Sequence, residues 1–369
     1  MTPAIRLTAA GFVATAVAFG PARMGFGLFL PAFRAEFALS TATAGLIASG
    51  GFLAFLLALL ASAWLCRHHG ERVSVIAGAL AAAAGLAAVA AAGTPGLLAL
   101  GIALAGTSAG LCWAPFNDAA ERIVPEAARA GALSVVSTGT TFGVAAAAGL
   151  ALAVSEGLLD WRQAWLGFAL SGLALAAIAL AGVPPRRGPS PIFEAGAPGP
   201  ALARRATVPL YSTALCFGMT NAVFLSFAAD RVVAAGGLPG LPDEAASAVI
   251  FLGYGACGVL GLLTGRIEAR TGLAPLFCFI FAAAALSLLL VALAPTSWAA
   301  VLAASGLHGV AIMMVSAVFS FWSGRLFPGR STLGFTATLL SMAAGSVLGP
   351  VLAGLLAAAQ GPLVLFLAA

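Results

Sequence analysis

The chain has 369 residues, 62% of them hydrophobic and only 8% charged, with a formal net charge of +5 and a mean hydropathy of +1.08. A soluble domain carries about 25% charged residues, so this composition cannot build a water-facing surface and excludes a soluble globular protein. The positive balance is all arginine, with no lysine and no basic run longer than two, which argues against a nucleic-acid partner.

Apolar runs long enough to cross about 30 Å of hydrocarbon as helices recur along the whole chain. They lie at 7–30, 42–65, 73–92, 97–118, 131–154, 163–183, 207–229, 245–265, 273–294, 297–322 and 332–358. A twelfth begins with GPLVLFLAA. Nine residues reach only about 13 Å as a helix, so it reads as the start of a helix that the sequence does not complete. The opening MTPAIRLTAAGFV precedes an apolar stretch too long for a secretory signal, with no small-residue cleavage site, and reads as a retained span.

Cytoplasmic loops retain positive charge, which sets an orientation. With the amino terminus inside and the spans alternating, thirteen arginines face inward, among them Arg67, Arg72, Arg122, Arg186, Arg187, Arg325 and Arg330. Only Arg34, Arg162 and Arg231 face outward. A multi-pass protein of the inner membrane with a cytoplasmic amino terminus is expected. The five cysteines (66, 112, 216, 257 and 278) fall in or at the ends of spans, without metal-ligand spacing or a secreted disulfide pattern, so no metal or other cofactor is expected.

One long Pro/Gly-rich polar segment interrupts the apolar runs, GVPPRRGPSPIFEAGAPGPALARRA. It divides the chain into a six-helix half (1–183), a cytoplasmic linker (184–206) and a second half (207–369) holding helices seven to eleven and the start of the twelfth. Internal repeats support that division. TAVAFGPARMGF (15–26) returns as TALCFGMTNAVF (213–224), and RIVPEAARAG (122–131) as RLFPGRSTLG (325–334). Gly70, after the second span, corresponds to Gly272, after the eighth. The matches keep one order and nearly one offset, so duplication accounts for them better than chance similarity in an Ala/Gly-rich chain.

Two six-helix halves joined by a basic inner linker resemble the major facilitator superfamily. Its pattern after the second helix is Gly, three residues, Asp, Arg, one residue, Gly, Arg, Arg. Here AWLCRHHGER keeps Gly70 and Arg72, with Ala63 in place of the first Gly and Arg67 in place of Asp. The second copy, GRIEARTG, keeps Gly265, Arg270 and Gly272, with Glu268 one place early. The family's Gly-rich packing motif has its counterparts in GTTFG (139–143) and GSVLGP (345–350). The resemblance implies an all-α fold of two six-helix halves related by a pseudo-twofold repeat, with helices one, four, seven and ten lining a central cavity.

Arg23 stands alone, without another charge from Leu7 to Phe33. An arginine at the bilayer centre costs about 2.5–3.5 kcal/mol on insertion scales, so it either faces the cavity or snorkels to the outer headgroups. Thr15, Phe19, Arg23 and Gly27 recur every four residues and are expected to share one face. Asn221 takes the matching place in the repeat. His308 lies about 16 Å along the tenth helix, near the midplane. Its imidazole is expected either to carry a coupling proton or bind substrate, or to pack helices through a backbone carbonyl. Tyr254, with Ser134, Thr138, Thr141, Thr338 and Ser341, adds hydroxyls that serve substrate or helix packing. Asp118 is spaced to pair with Arg122. The resemblance implies a different bond, from Asp118 to Arg72, that locks the inner side shut.

No Walker loop, no central Asp or Glu and no hydrolase triad is present, so neither an ATP-driven pump nor an enzyme is expected. The reading is a secondary transporter working by alternating access around a midplane site. A cavity with a cation and no carboxylate favours a small organic anion, such as a carboxylate. The alternatives are proton-coupled efflux of amphipathic compounds through His308, and a receptor or scaffold that does not transport. A monomer is expected.

Overall fold

The computed structural model describes residues 2–185, 202–327 and 331–369. Most of the 184–206 linker, together with Arg186, Arg187, Pro328 and Arg330, lies outside the described residues. Among the described residues the regular structure is entirely helical, and eleven helices are long and apolar enough to cross a bilayer. The chain divides into two compact units, Met1–Leu39 with Gly50–Phe193, and Ser40–Ser49 with Glu194–Ala369.

The first unit holds α1 (Pro3–Phe19), α2 (Pro21–Phe37), most of α3 (Thr41–His69), α4 (Glu71–Ala90), α5 (Pro95–Cys112), α6 (Ala114–Ile123), α7 (Glu126–Ser155) and α8 (Trp161–Gly182). The first apolar run is therefore two helices. Gly20, at ψ −102°, closes α1, and Pro21 opens α2, where its missing N–H and fixed φ suit a first helical turn. α1 packs on α7, and α4 on both α5 and α8. The α1–α7 approach depends on the Gly-rich motif: a Cβ at Gly143 would collide with the Ala16 carbonyl, and one at Gly139 with Phe12 and Thr15. At the start of α8 the Asp160 carboxylate accepts from the Gln163 N–H at 2.8 Å, while the Gln163 side chain accepts from the Asp160 N–H at 3.0 Å. That reciprocal cap satisfies two donors that the helix leaves open.

The second unit holds α9 (Val208–Ala234), α10 (Asp243–Gly258), α11 (Thr264–Thr271), α12 (Leu273–Leu293), α13 (Trp298–Leu326), α14 (Ser331–Gln360) and the seven-residue α15 (Pro362–Ala368). α9 packs on α14, and α13 on α10 and α12. The α9–α14 contact parallels α1–α7, because Gly345 lies where a Cβ would strike the Leu215 carbonyl. The repeat is also visible in the backbone. Gly70 has φ 84° and ψ 166°, and Gly272 has φ 85° and ψ 171°. Only glycine occupies that region without strain, so both loops need a glycine at the same step of the turn.

Candidate functional site

Arg23 is the third residue of α2, just past the break at Gly20. Its guanidinium carbon lies 4.2 Å from the centroid of the Phe55 ring and 5.5 Å from those of Phe19 and Phe52. Phe52 and Phe55 are buried on α3, and Phe19 meets Trp113 edge-on at 6.0 Å. Each cation–π contact contributes about 0.5–2 kcal/mol, more as water is excluded. Three rings thus stabilise the charge inside the span. A carboxylate is held by the N–H groups at the edge of a guanidinium.

Of the residues expected to share a face, Phe19 meets Arg23 across the break, whereas the Thr15 hydroxyl is engaged elsewhere. The helix stops at Gly20, and Thr15 is 1% exposed, with its hydroxyl directed at the carbonyls of Gly11, Phe12 and, across the interface, Val136 of α7. A hydroxyl spent on backbone carbonyls pins helices together. Thr15 belongs to the α1–α7 seam.

In the second unit Tyr254 and His308 converge on Phe224, one turn after Asn221. His308, 0% exposed on α13, stacks on Phe224 of α9 with ring centroids 4.0 Å apart and planes 7° apart. Tyr254 of α10, also 0% exposed, lies at 6.3 Å from both rings. Asn221 stands one turn before Phe224, on the same side of α9, and is 1% exposed. His308 Nδ1 is 2.7 Å from the Ser287 hydroxyl on α12. The Nε2 of His308 and the Oδ1 of Asn221 are buried without a hydrogen-bond partner among the described residues. A buried polar atom left so costs about 1–3 kcal/mol.

Three other candidate hydroxyls bond carbonyls of their own helices, and that of Thr338 also lies 3.2 Å from the Ser323 hydroxyl of α13. Thr138 donates to Val135, Ser341 to Ala337 and Thr338 to Gly334.

The first residue of α4 is one that sequence reasoning passed over. Glu71, 1% exposed, pairs with Arg122 of α6 at 3.3 Å. Arg122 also reaches the Pro184 carbonyl at 3.5 Å, while Arg72 donates to the Leu180 carbonyl of α8. Asp118 is half-buried on α6, within electrostatic reach of Cys66 on α3. In the second unit Glu268 of α11 pairs with Arg325 at 2.7 Å. The two arginines matched by the repeat therefore each hold an acid of the loop region, although the acids occupy different places relative to the glycine. Glu71 stands where the family pattern has the first Arg of its pair, and that was the available signal. Phe52, Phe55, Phe224 and Ser287 gave none, being ordinary residues of apolar spans.

The profile of the Major Facilitator Superfamily matches residues 11–271. No curated protein matches the chain by sequence. Among solved structures, the nucleoside transporter NupG is similar at TM-score 0.75 and 14% identity, over 100% of this chain and 95% of its own. A bacterial homologue of the human lysosomal transporter Spinster is similar at 0.70 and 20%, over 96% and 81%. The peptide transporter POT in complex with sulfate is similar at 0.75 and 14%, over 99% and 93%. At these identities the likeness is one of fold.

Proposed function

The chain belongs to the major facilitator superfamily and is a multi-pass secondary transporter, and on that footing we propose that its cargo is a small organic anion bound through Arg23. The observation that carries this reading is a guanidinium placed inside a membrane-spanning helix and braced by Phe19, Phe52 and Phe55. The cage holds the charge in place. The fork of N–H donors matches a carboxylate in one plane. The POT structure was solved with sulfate, so an anion in this fold has a precedent in a distant relative.

In this reading the amino terminus is cytoplasmic and the membrane is the plasma (inner) membrane. The test is uptake into liposomes containing the purified protein, with and without an imposed pH gradient, screened against small carboxylates and against cationic amphipaths. Carboxylate uptake that disappears in Arg23→Gln supports the proposal. Uptake of cationic amphipaths alone contradicts it.

A further inference from the structure

The hydrogen bonds around His308 fix more than its position. Ser287 has one hydroxyl proton, and its Oγ lies 2.7 Å from the Ala284 carbonyl and 2.7 Å from His308 Nδ1. A carbonyl only accepts, so the Ser287 proton goes to Ala284. The second contact is then satisfied only if Nδ1 carries a hydrogen and donates to Oγ. A neutral imidazole with Nδ1–H has a bare lone pair on Nε2. That nitrogen is wholly buried and has no partner among the described residues, and the same holds for the Asn221 carbonyl oxygen one turn before the ring on which His308 stacks. Two buried acceptors call for donors, and the Tyr254 hydroxyl, on a ring 6.3 Å from that of His308, brings at most one. The surrounding walls, Phe224, Tyr254 and Phe251, are aromatic.

We infer that the second unit carries an acceptor subsite, formed by His308 Nε2 and Asn221 Oδ1, for an uncharged planar group bearing N–H donors. Ser287 is its positioning residue: it touches no cargo but selects the tautomer that leaves Nε2 able to accept. The subsite rests on the chain being a transporter. It does not depend on the cargo being an anion.

The chain has three histidines, so this chain with His68→Gln and His69→Gln reports His308 alone. Nitrogen-15 NMR of that protein in lipid bilayers distinguishes bare from protonated ring nitrogens. The expected result is protonated Nδ1 and bare Nε2. Ser287→Ala should shift the ring toward the Nε2–H tautomer, and Ser287→Thr, which keeps the hydroxyl, should restore the original one. Uracil, a planar probe with N–H groups, should move the Nε2 resonance, while 1,3-dimethyluracil, which lacks them, should not. Asn221→Ala should weaken the uracil response about two- to tenfold, the loss of one neutral hydrogen bond. A protonated Nε2 in the otherwise native protein overturns the assignment even if Ser287→Ala fails to fold. Equal responses to the two probes, or none to either, overturn the subsite. The tautomer measurement needs no cargo, so its outcome is separate from the fate of the anion reading.

Discussion

Arg122 holds Glu71 at 3.3 Å, and the carboxylate it holds is 1% exposed. Removing one member of a buried pair leaves a charge without compensation, which costs more than the intact pair contributes. Arg122→Gln should therefore destabilise the protein by about 3 kcal/mol, the low end of the range for buried pairs, because Arg122 itself is 34% exposed on its side chain. Glu71→Gln combined with Arg122→Gln should recover much of that loss. Thermal unfolding of the two single variants and the double variant measures the coupling; additive losses would mean that the pair does not act as one.

Gly143 and Gly149 lie on the same helix and should respond in opposite ways. A side chain at Gly143 meets the backbone of Ala16, whereas Gly149 has nothing within 4 Å of its would-be Cβ. Gly143→Val should abolish stable expression by forcing α1 from α7. Gly149→Ala should be neutral or stabilising by up to about 1 kcal/mol, the helix-propensity difference. Fluorescence-detected gel filtration in detergent separates these outcomes, and a well-folded Gly143→Val protein would show that the seam tolerates separation.

The arginine distribution makes the orientation testable without any substrate. Reporter fusions within 184–206 should be active in the cytoplasm, and those within 232–242 outside. The reverse pattern would overturn the assignment of the amino terminus to the cytoplasm.

Eleven spans were legible in the sequence because run length and apolar composition are local properties, and each expected span overlaps a helix of membrane length. The repeat was legible too, down to Gly70 and Gly272, whose backbones agree. The site was legible in part. Asn221, Tyr254 and His308 are polar residues in apolar spans, and such residues stand out; the structure brings Tyr254 and His308 to one aromatic cluster around Phe224, with Asn221 buried one turn before it on α9. Of the face expected for Thr15, Phe19 and Arg23, the Phe19–Arg23 contact is present across the Gly20–Pro21 break, while Thr15 is engaged by backbone carbonyls, which a four-residue period does not reveal. Ser287, Phe52 and Phe55 were hidden because a serine or phenylalanine in a span signals nothing until its neighbours are known. Glu71 was passed over because an acid at the end of a span reads as solvated, while here it opens α4 and is buried beside Arg122.

Arg23→Lys tests the central claim most directly. Lysine keeps the charge and snorkels as well as arginine, but it cannot present two coplanar hydrogen bonds to a carboxylate. Losing one charge-assisted hydrogen bond, at about 1.5–3 kcal/mol, means a roughly ten- to hundredfold weaker dissociation constant. The measurement is the Kd of the carboxylate identified by uptake, determined for wild type and Arg23→Lys at equal expression and equal thermal stability. The account predicts weakening by at least about tenfold, with Arg23→Gln nearly abolishing binding. Wild-type affinity in the lysine variant would remove Arg23 from the binding site, and with it the case for an anionic cargo.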